Sequence, residues 1–401
     1  MDRRCFLQGA SLAAVGLGYA PRLLNAAEGA APGKTLVFIL MRGAADGLSL
    51  CPPLQEARYP EVRPTIHLPA SGEGAALKLD GAFGLHPALA ALKPFYDDGT
   101  LAALHQVGSP DLTRSHFDAQ DFLESGTPGV KRTEDGFLGR SVKQLTGASP
   151  LKAVALQPSL PRVLMGGDAV AMGSLAEFRI QGTTPGGGFE GMYRQALDQS
   201  LRGTGQEAFD AIKVLQQKDP RSLAPGATYP TGPFGRRLLE IAQLIKADVG
   251  LRVAVTDVGG WDTHVAQGNA KGLLANRLQD FGDALGAFLQ DLGPRRDQVM
   301  VVALTEFGRT VKENGNRGTD HGHGGLALVA GGGLRGGRVL APGWRSLREE
   351  HLHEGRDVPM TTDFRDLLGE ALTRHLGLRD LRDIFPGHPN DPRKWPGLWK
   401  G

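Results

Sequence analysis

Short apolar runs rich in β-branched residues recur along the chain, each ending at glycine or at a polar residue. Six of them predict buried strands: Thr35–Met41, Leu101–Val107, Lys152–Leu156, Leu251–Val258, Gln298–Leu304 and Leu326–Ala330. Their near-continuous hydrophobicity suits strands covered on both faces. Between the strands the apolar spacing changes to three and four. Leu273, Leu274, Leu278, Phe281, Leu285, Phe288, Leu289 and Leu292 mark one long amphipathic helix. Phe234, Leu238, Ile241 and Ile245 mark a second, residues 206–217 a third, and Phe364–Leu376 a last one before a Pro-rich tail.

Strands alternating with helices predict an α/β fold, a mostly parallel central sheet with helices on both faces. From about 158 to 232 the alternation lapses into Gly- and Pro-rich stretches, TTPGGGFEG and LAPGATYPTGP among them. They read as an insertion or lid on a single domain spanning residues 31–401. The 57 glycines and 26 prolines imply many turns and long loops, where sites are usually built.

The first thirty residues follow a different pattern. Arg3 and Arg4 are followed by Phe6-Leu7, then by a mild apolar run from Gly9 to Ala20, then by small residues around Asn25 to Ala31. This order predicts a twin-arginine signal peptide over residues 1–30. The run is too short and too rich in Gly and Ala to span ~30 Å of hydrocarbon. The mature chain is therefore expected to be periplasmic or secreted, exported folded by the twin-arginine translocase, with no transmembrane segment. Folded cargo of this pathway often carries a metal or cofactor.

Charge and cysteine content narrow the classes further. Lys and Arg number 45 against 43 Asp and Glu, and residues 1–30 hold Arg3, Arg4, Arg22, Asp2 and Glu28. The balance stays near neutral without them, which argues against nucleic acid or an anionic membrane as the main partner. Cys5 would leave with the signal, and Cys51 then has no intramolecular disulfide partner.

In open α/β sheets, ligands bind beyond the carboxyl ends of the strands. Four polar clusters follow predicted strand ends here. RGAADGLS carries Arg42, Asp46 and Ser49, and GSPDLTRSHFDAQD carries Thr113, Arg114, Ser115, His116, Asp118 and Asp121. TDVGGWDTH carries Asp257, Asp262 and His264. TEFGRT carries Glu306 and Arg309, and NRGTDHGHGG adds Asp320, His321 and His323. Carboxylates and imidazoles without thiolates suit zinc, manganese, iron or magnesium. Ser115 has two readings, a helix N-cap and a nucleophile facing the positive end of that helix. His86 is read as opening a helix at Pro87, His105 as lying inside a strand, and the His351/His353 segment as a solvated loop.

The segments FILMRGAADGLSL, DLTRSHFDAQDFLESG, TDVGGWDTH, TEFGRT and GTDHGHGG, in that order, resemble a bacterial twin-arginine-exported family. That family is catalogued as a domain of unknown function within the alkaline-phosphatase and sulfatase superfamily, and the likeness spans about residues 35–390. The resemblance implies an alkaline-phosphatase-like fold and a metal-dependent hydrolase of phosphate or sulfate esters acting through a seryl intermediate. Asp46 resembles the superfamily's first-strand metal aspartate, and Ser115, or else Thr113, its nucleophile. Asp257, Asp262 and His264 resemble its Asp…His ligand segment, and His321 or His323 its late histidine. Glu306 departs from the usual Asp-His pair, which occurs instead at Asp320-His321. One or two divalent ions, zinc foremost, are implied, with Arg42, Arg114 or Arg309 clamping substrate oxygens. The alternative is a non-catalytic envelope binding or assembly protein that keeps the fold with one metal or none.

The export signal is directly testable. Replacing Arg3 and Arg4 together by Lys is predicted to strand the precursor in the cytoplasm, read by fractionation and immunoblot. Normal periplasmic accumulation of that variant contradicts the assignment.

Overall fold

Thr35–Arg42 forms β1, and seven of its eight residues are buried, because it runs through the middle of the sheet. Its side chains alternate between two cores. Val37, Ile39 and Met41 join one, and Leu36, Phe38 and Leu40 join the other. A strand read as apolar throughout is thus one with no solvent face. The computed structural model describes residues 33–176 and 199–400, and Lys34–Gly401 make one compact unit. The signal peptide predicted over 1–30 and part of the predicted insertion lie outside the described residues.

The further strands are β2 (Leu77–Lys78), β3 (Gly84–Leu85), β4 (Leu101–Gly108), β5 (Ala153–Leu156) and β6 (Val170–Met172). They are followed by β7 (Val253–Gly259), β8 (Val299–Leu304), β9 (Gly325–Gly331), β10 (Arg338–Leu340) and β11 (Thr362–Asp363). β2 and β3 make a small hairpin. The others form one sheet in the order β10-β4-β9-β8-β1-β7-β5-β6, with β11 also pairing β4. Every pairing is parallel except those of β9, which runs antiparallel to both β8 and β4. The α/β fold with a mostly parallel sheet is therefore present, and all six strands read from the sequence occur within two residues of their expected ends. The short strands β6, β10 and β11 carry too few apolar positions to show a period. β6 also shows that part of the 158–232 stretch extends the sheet.

Helices cover both faces. On one side lie Pro233–Lys246, Leu273–Leu292 and the 3-10 segment Pro87–Leu92. On the other lie His116–Ser125, Phe137–Gln144 and Phe364–Arg374. Gln199–Lys218 adds a further helix. No helix among the described residues is long and apolar enough to cross a membrane.

This topology positions the chemistry. β1, β4, β7 and β8 are mutually aligned, so their C-terminal ends share one edge of the sheet. Because β9 returns antiparallel to β8, the connection 305–324 stays at that same edge. His86 caps the 3-10 segment by accepting from the Ala88 N–H at 3.0 Å, and His105 is buried within β4 with Nε2 against the Cys51 carbonyl.

Candidate functional site

Four connections meet at this edge, and each presents its polar side chains for a local reason. After β4 the chain enters the helix His116–Ser125, with Ser115 as N-cap accepting, at 3.5 Å, from the Asp118 N–H. His116 is thereby the first helical residue. Its ring stacks on Phe307 at 4.9 Å between centroids, and its Nδ1 meets Glu306 Oε1 at 2.8 Å. After β7, the loop carries Asp262 and His264. Gly318 lets the 305–324 connection approach that loop, since a Cβ there would stand 2.4 Å from the His264 carbonyl carbon. Gly43, at φ 113°, turns the end of β1 so that its N–H donates to Glu306 Oε1 at 2.8 Å.

The result is a knot of ring nitrogens around one carboxylate oxygen. His321 Nε2 lies 3.0 Å from His116 Nε2 and 3.0 Å from His264 Nε2. Asp262 Oδ1 lies 3.4, 2.9 and 3.2 Å from Nε2 of His116, His264 and His321. One ligand atom each from His116, Asp262 and His321 falls within 4.8 Å of the others, a group that could hold a metal ion.

The outward nitrogens explain why the inward ones converge. His321 Nδ1 faces the Arg114 carbonyl at 2.8 Å, an oxygen that only accepts, so the proton sits on Nδ1. His116 Nδ1 faces Glu306, and His264 Nδ1 faces Asp320 Oδ1 at 3.3 Å. Both carboxylates favour the charged form. Burial pushes Glu306 up, but hydrogen bonds from His116 and Gln120 outweigh it and lower its pKa. Asp320 is lowered first by its hydrogen bond from Asn314 and then by His264. In their neutral forms His116 and His321 therefore point Nε2 lone pairs inward, while His264 has a carboxylate oxygen at either nitrogen, Asp320 Oδ1 at 3.3 Å from Nδ1 and Asp262 Oδ1 at 2.9 Å from Nε2. Two N···N contacts of 3.0 Å are unfavourable unless a proton or a cation lies between them. Carboxylates and carbonyls that orient metal-binding imidazoles in this way are the usual second layer of such sites, so the residues present fit a divalent cation.

Asp262 is prepared for the same role. Partial burial raises its pKa, but the hydrogen bond and charge of Arg309 reverse this and bring it to about 2. Arg309 Nη2 donates to Asp262 Oδ1 at 2.5 Å. The Glu306 hydrogen bond raises the His116 pKa above the ordinary imidazole value, whereas burial lowers that of His321.

Several residues expected in the site do other work. Asp46 is fully buried against Arg63, with Nη1–Oδ2 at 2.6 Å and Nη2–Oδ1 at 3.0 Å, and also accepts from Ser49 and Gln267. Asp257 bridges Arg42 and Arg237 at 2.7 and 3.0 Å. His323 is outside the ligand group and packs on His353, ring centroids 4.5 Å apart, so the 351–353 segment is not purely solvated. Glu306 acts on His116 and lies outside the ligand group. Arg42 is held by Asp257, Gln120 and Glu124, and Arg114 by Glu354 and Asp357. Arg309 donates to backbone carbonyls as well as to Asp262. Arg309 is thus fully engaged, whereas the Arg114 bonds use Nη2 alone. Thr113 Oγ1 accepts from the Ser115 N–H at 3.2 Å.

Two residues escaped the sequence reading. His116 was present in the motif, but its place at the first helical position gave it no distinct role. Gln267 carried no signal. Its amide, fully buried, donates to Asp46 and Ser49 and accepts from the Thr263 and Thr319 hydroxyls at 2.7 and 2.9 Å. It thereby ties the loop of Asp262 and His264 to the loop of Asp320 and His321.

The sequence family described as "Protein of unknown function (DUF1501)" matches residues 99–385, a span that holds all four residues of the cluster and leaves Asp46 outside. No curated protein matches the chain. Among solved structures, the C-terminal periplasmic domain of EcEptC from Escherichia coli, in complex with Zn, is similar at 11% identity and a TM-score of 0.36. The alignment covers 76% of this chain and 74% of that one.

Gln267→Leu is predicted to leave the Thr263 and Thr319 hydroxyls without their acceptor, at about 1–3 kcal/mol per buried unsatisfied group. Because the amide spans both ligand loops, the rise in melting temperature on adding zinc should shrink in the variant. An unchanged zinc-dependent rise, on a lower baseline, would mean that the bridge stabilises the fold without positioning the cluster.

Proposed function

We propose, for a chain that belongs to the DUF1501 family of proteins of unknown function, an exported metal-dependent hydrolase of phosphate or sulfate esters. The observation that carries this reading is the convergence of three Nε2 atoms on Asp262 Oδ1, with each Nδ1 already engaged from outside. His116, Asp262, His264 and His321 would hold the ion. A set of imidazole nitrogens and one carboxylate suits zinc best, with manganese and iron next and magnesium last. One ion is favoured over two, because Asp46 and Asp257 are spent on arginines. When bound, such an ion polarises phosphoryl or sulfuryl oxygens and lowers the pKa of a nearby hydroxyl.

The chain's own groups supply the rest. Glu306, Asp320 and the Arg114 carbonyl keep the three rings in register, and Arg309 keeps Asp262 ionised. The open side lies over Asp262 and His264, whose side chains are 45% and 38% exposed. Ser115 is solvent-exposed beside His116, at the positive end of a ten-residue helix that also favours an anion. In this reading its Oγ bonds to phosphorus or sulfur as the bond to the ester oxygen breaks, the hydroxyl proton ends on the departing alcohol, and water then cleaves the seryl ester. An alkaline-phosphatase-like ancestry, twin-arginine export and a periplasmic location belong to the same proposal. They are supported by the five-motif resemblance and by the position of the cluster at the sheet's carboxyl edge.

A second reading is favoured by one observation, that Arg42, Arg114 and Arg309 each already pair with a protein carboxylate. In it the chain is a binding or assembly protein that holds one ion without turnover.

Elemental analysis of folded protein, followed by aryl-phosphate and aryl-sulfate assays, separates these readings. The hydrolase predicts one ion per chain and turnover of at least one ester class. Ser115→Gly should cost only a few tenths of a kcal/mol as a cap, keep the ion, and lose hydrolysis. Metal without turnover supports the binding protein. Full activity in Ser115→Gly makes Ser115 a cap only and turns attention to Thr113.

A further inference from the structure

The helix His116–Ser125 carries His116, Gln120 and Glu124 at intervals of four, so the three side chains follow one another along a single face. All three reach groups at the ends of β1 and β8. His116 Nδ1 stands 2.8 Å from Glu306 Oε1, and Gln120 Nε2 donates to the same oxygen at 2.8 Å. Gln120 Oε1 and Glu124 Oε1 each accept from Nη1 of Arg42, the last residue of β1, at 2.8 Å. Arg42 Nε donates in turn to Asp257 Oδ2 at 2.7 Å, on the neighbouring strand β7, so the guanidinium is held from two sides. Glu124 is itself anchored, its Oε2 accepting from the Val163 N–H at 3.0 Å. A continuous line of polar contacts thus runs from Asp257 through Arg42, Gln120 and Glu306 to His116.

The line has a direction, set by the groups that can only donate. A guanidinium has no acceptor, so Gln120 turns its carbonyl oxygen to Arg42 and its NH2 to Glu306. The reversed amide would set NH2 against the guanidinium and oxygen against the carboxylate, and both bonds would be lost. Glu306 Oε1 therefore takes one N–H from Gln120 and a second from the Gly43 backbone, also at 2.8 Å. An oxygen that already accepts twice has no proton to offer, so the proton between Glu306 and His116 belongs to Nδ1. Nε2 is then the nitrogen that His116 turns toward Asp262 and His321.

We propose that Gln120 is a positioning residue of the cation site: oriented by Arg42, it fixes Glu306 so that His116 keeps its proton on Nδ1 and presents Nε2 to the ion. This rests on the cation-holding part of the proposed function and is independent of whether esters are hydrolysed. Gln120 touches neither ion nor ester and acts only through the Glu306 carboxylate. With its amide removed, that carboxylate loses one of the donors that fix its rotation, and the His116 ring loses its alignment with the other ligands. Groups that orient a ligating imidazole change metal affinity by about 10–100-fold when removed. Gln120 stands one contact further out, so a loss of about tenfold, the lower end of that range, is expected.

The test uses the whole mature chain and zinc alone as probe, with affinity read by competition against a chromophoric chelator. Gln120→Leu leaves Arg42 paired with Asp257 and Glu124, so the variant should fold, and its zinc affinity should fall about tenfold. In a Glu306→Gln background the same substitution should cost no further affinity, because the carboxylate through which it acts is gone. Proton NMR of the zinc-loaded protein supplies a second readout, which decides alone if Glu306→Gln does not fold. The His116 Nδ1 proton, held on Glu306, should exchange slowly with water in the parent and faster in Gln120→Leu.

Unchanged zinc affinity in Gln120→Leu, even with a lower melting temperature, makes the amide a structural link only. That result overturns the proposal and leaves the cation reading standing. A parent that binds no zinc overturns both. An equal loss in the Glu306→Gln background, or weaker zinc binding with unaltered Nδ1 proton exchange, means that Gln120 acts by another route, and either result overturns the proposal.

Discussion

One buried guanidinium holds the functional edge of this protein together. Arg309 follows β8 and donates to the Ala44 carbonyl at 2.7 Å and the Gly43 carbonyl at 2.6 Å, both past the end of β1. It reaches the Thr319 carbonyl at 3.0 Å before β9, and the Trp261 carbonyl and Asp262 carboxylate after β7. Its donors thus fasten the connections that leave three parallel strands and the one that enters β9. A guanidinium suits this task because its fork is rigid and remains charged at any physiological pH. Burying such a charge is costly unless it is paired and hydrogen-bonded, and here Asp262 supplies the pairing. The same contact that neutralises Arg309 also keeps Asp262 ionised within the cluster.

Around this clamp the site is organised in layers. Glu306, Asp320 and a backbone carbonyl fix three imidazoles, while the Asp46–Arg63 pair and Gln267 fix the loops that carry two of them. The layers differ in consequence. The outer groups have mutually satisfied partners, whereas the inner nitrogens stand 3.0 Å apart, too close for two facing lone pairs. A proton on His116, whose pKa Glu306 raises, or a cation bound among the rings would relieve that conflict.

Much of the architecture was legible in the chain. Strands buried on both faces left long apolar runs, and their order implied the parallel sheet. The antiparallel course of β9 left no mark in the sequence, because a buried strand reads alike in either direction. The candidate site was legible in composition and only partly in geometry. Polar clusters after strand ends contained Asp262, His264 and His321, but Arg42, Asp46 and Asp257 stood in equivalent contexts. What separates them is pairing across long stretches of chain. Arg42 finds Asp257 across the β1–β7 register, and Asp46 is claimed by Arg63 from the next turn of chain. Glu306 reads as a ligand until His116 is found 2.8 Å away and takes its charge. Such exchanges depend on register and rotamer, which residue type and spacing do not encode.

In the proposed function His116, His264, His321 and Asp262 surround a single cation. Anomalous diffraction from crystals of the zinc-loaded protein, recorded on either side of the zinc absorption edge, tests it most directly. One strong peak per chain is expected, bounded by the Nε2 atoms and Asp262 Oδ1, with no peak at Asp46 or Asp257. A peak beside Asp46 or Asp257, or an empty cluster in zinc-replete crystals, contradicts it.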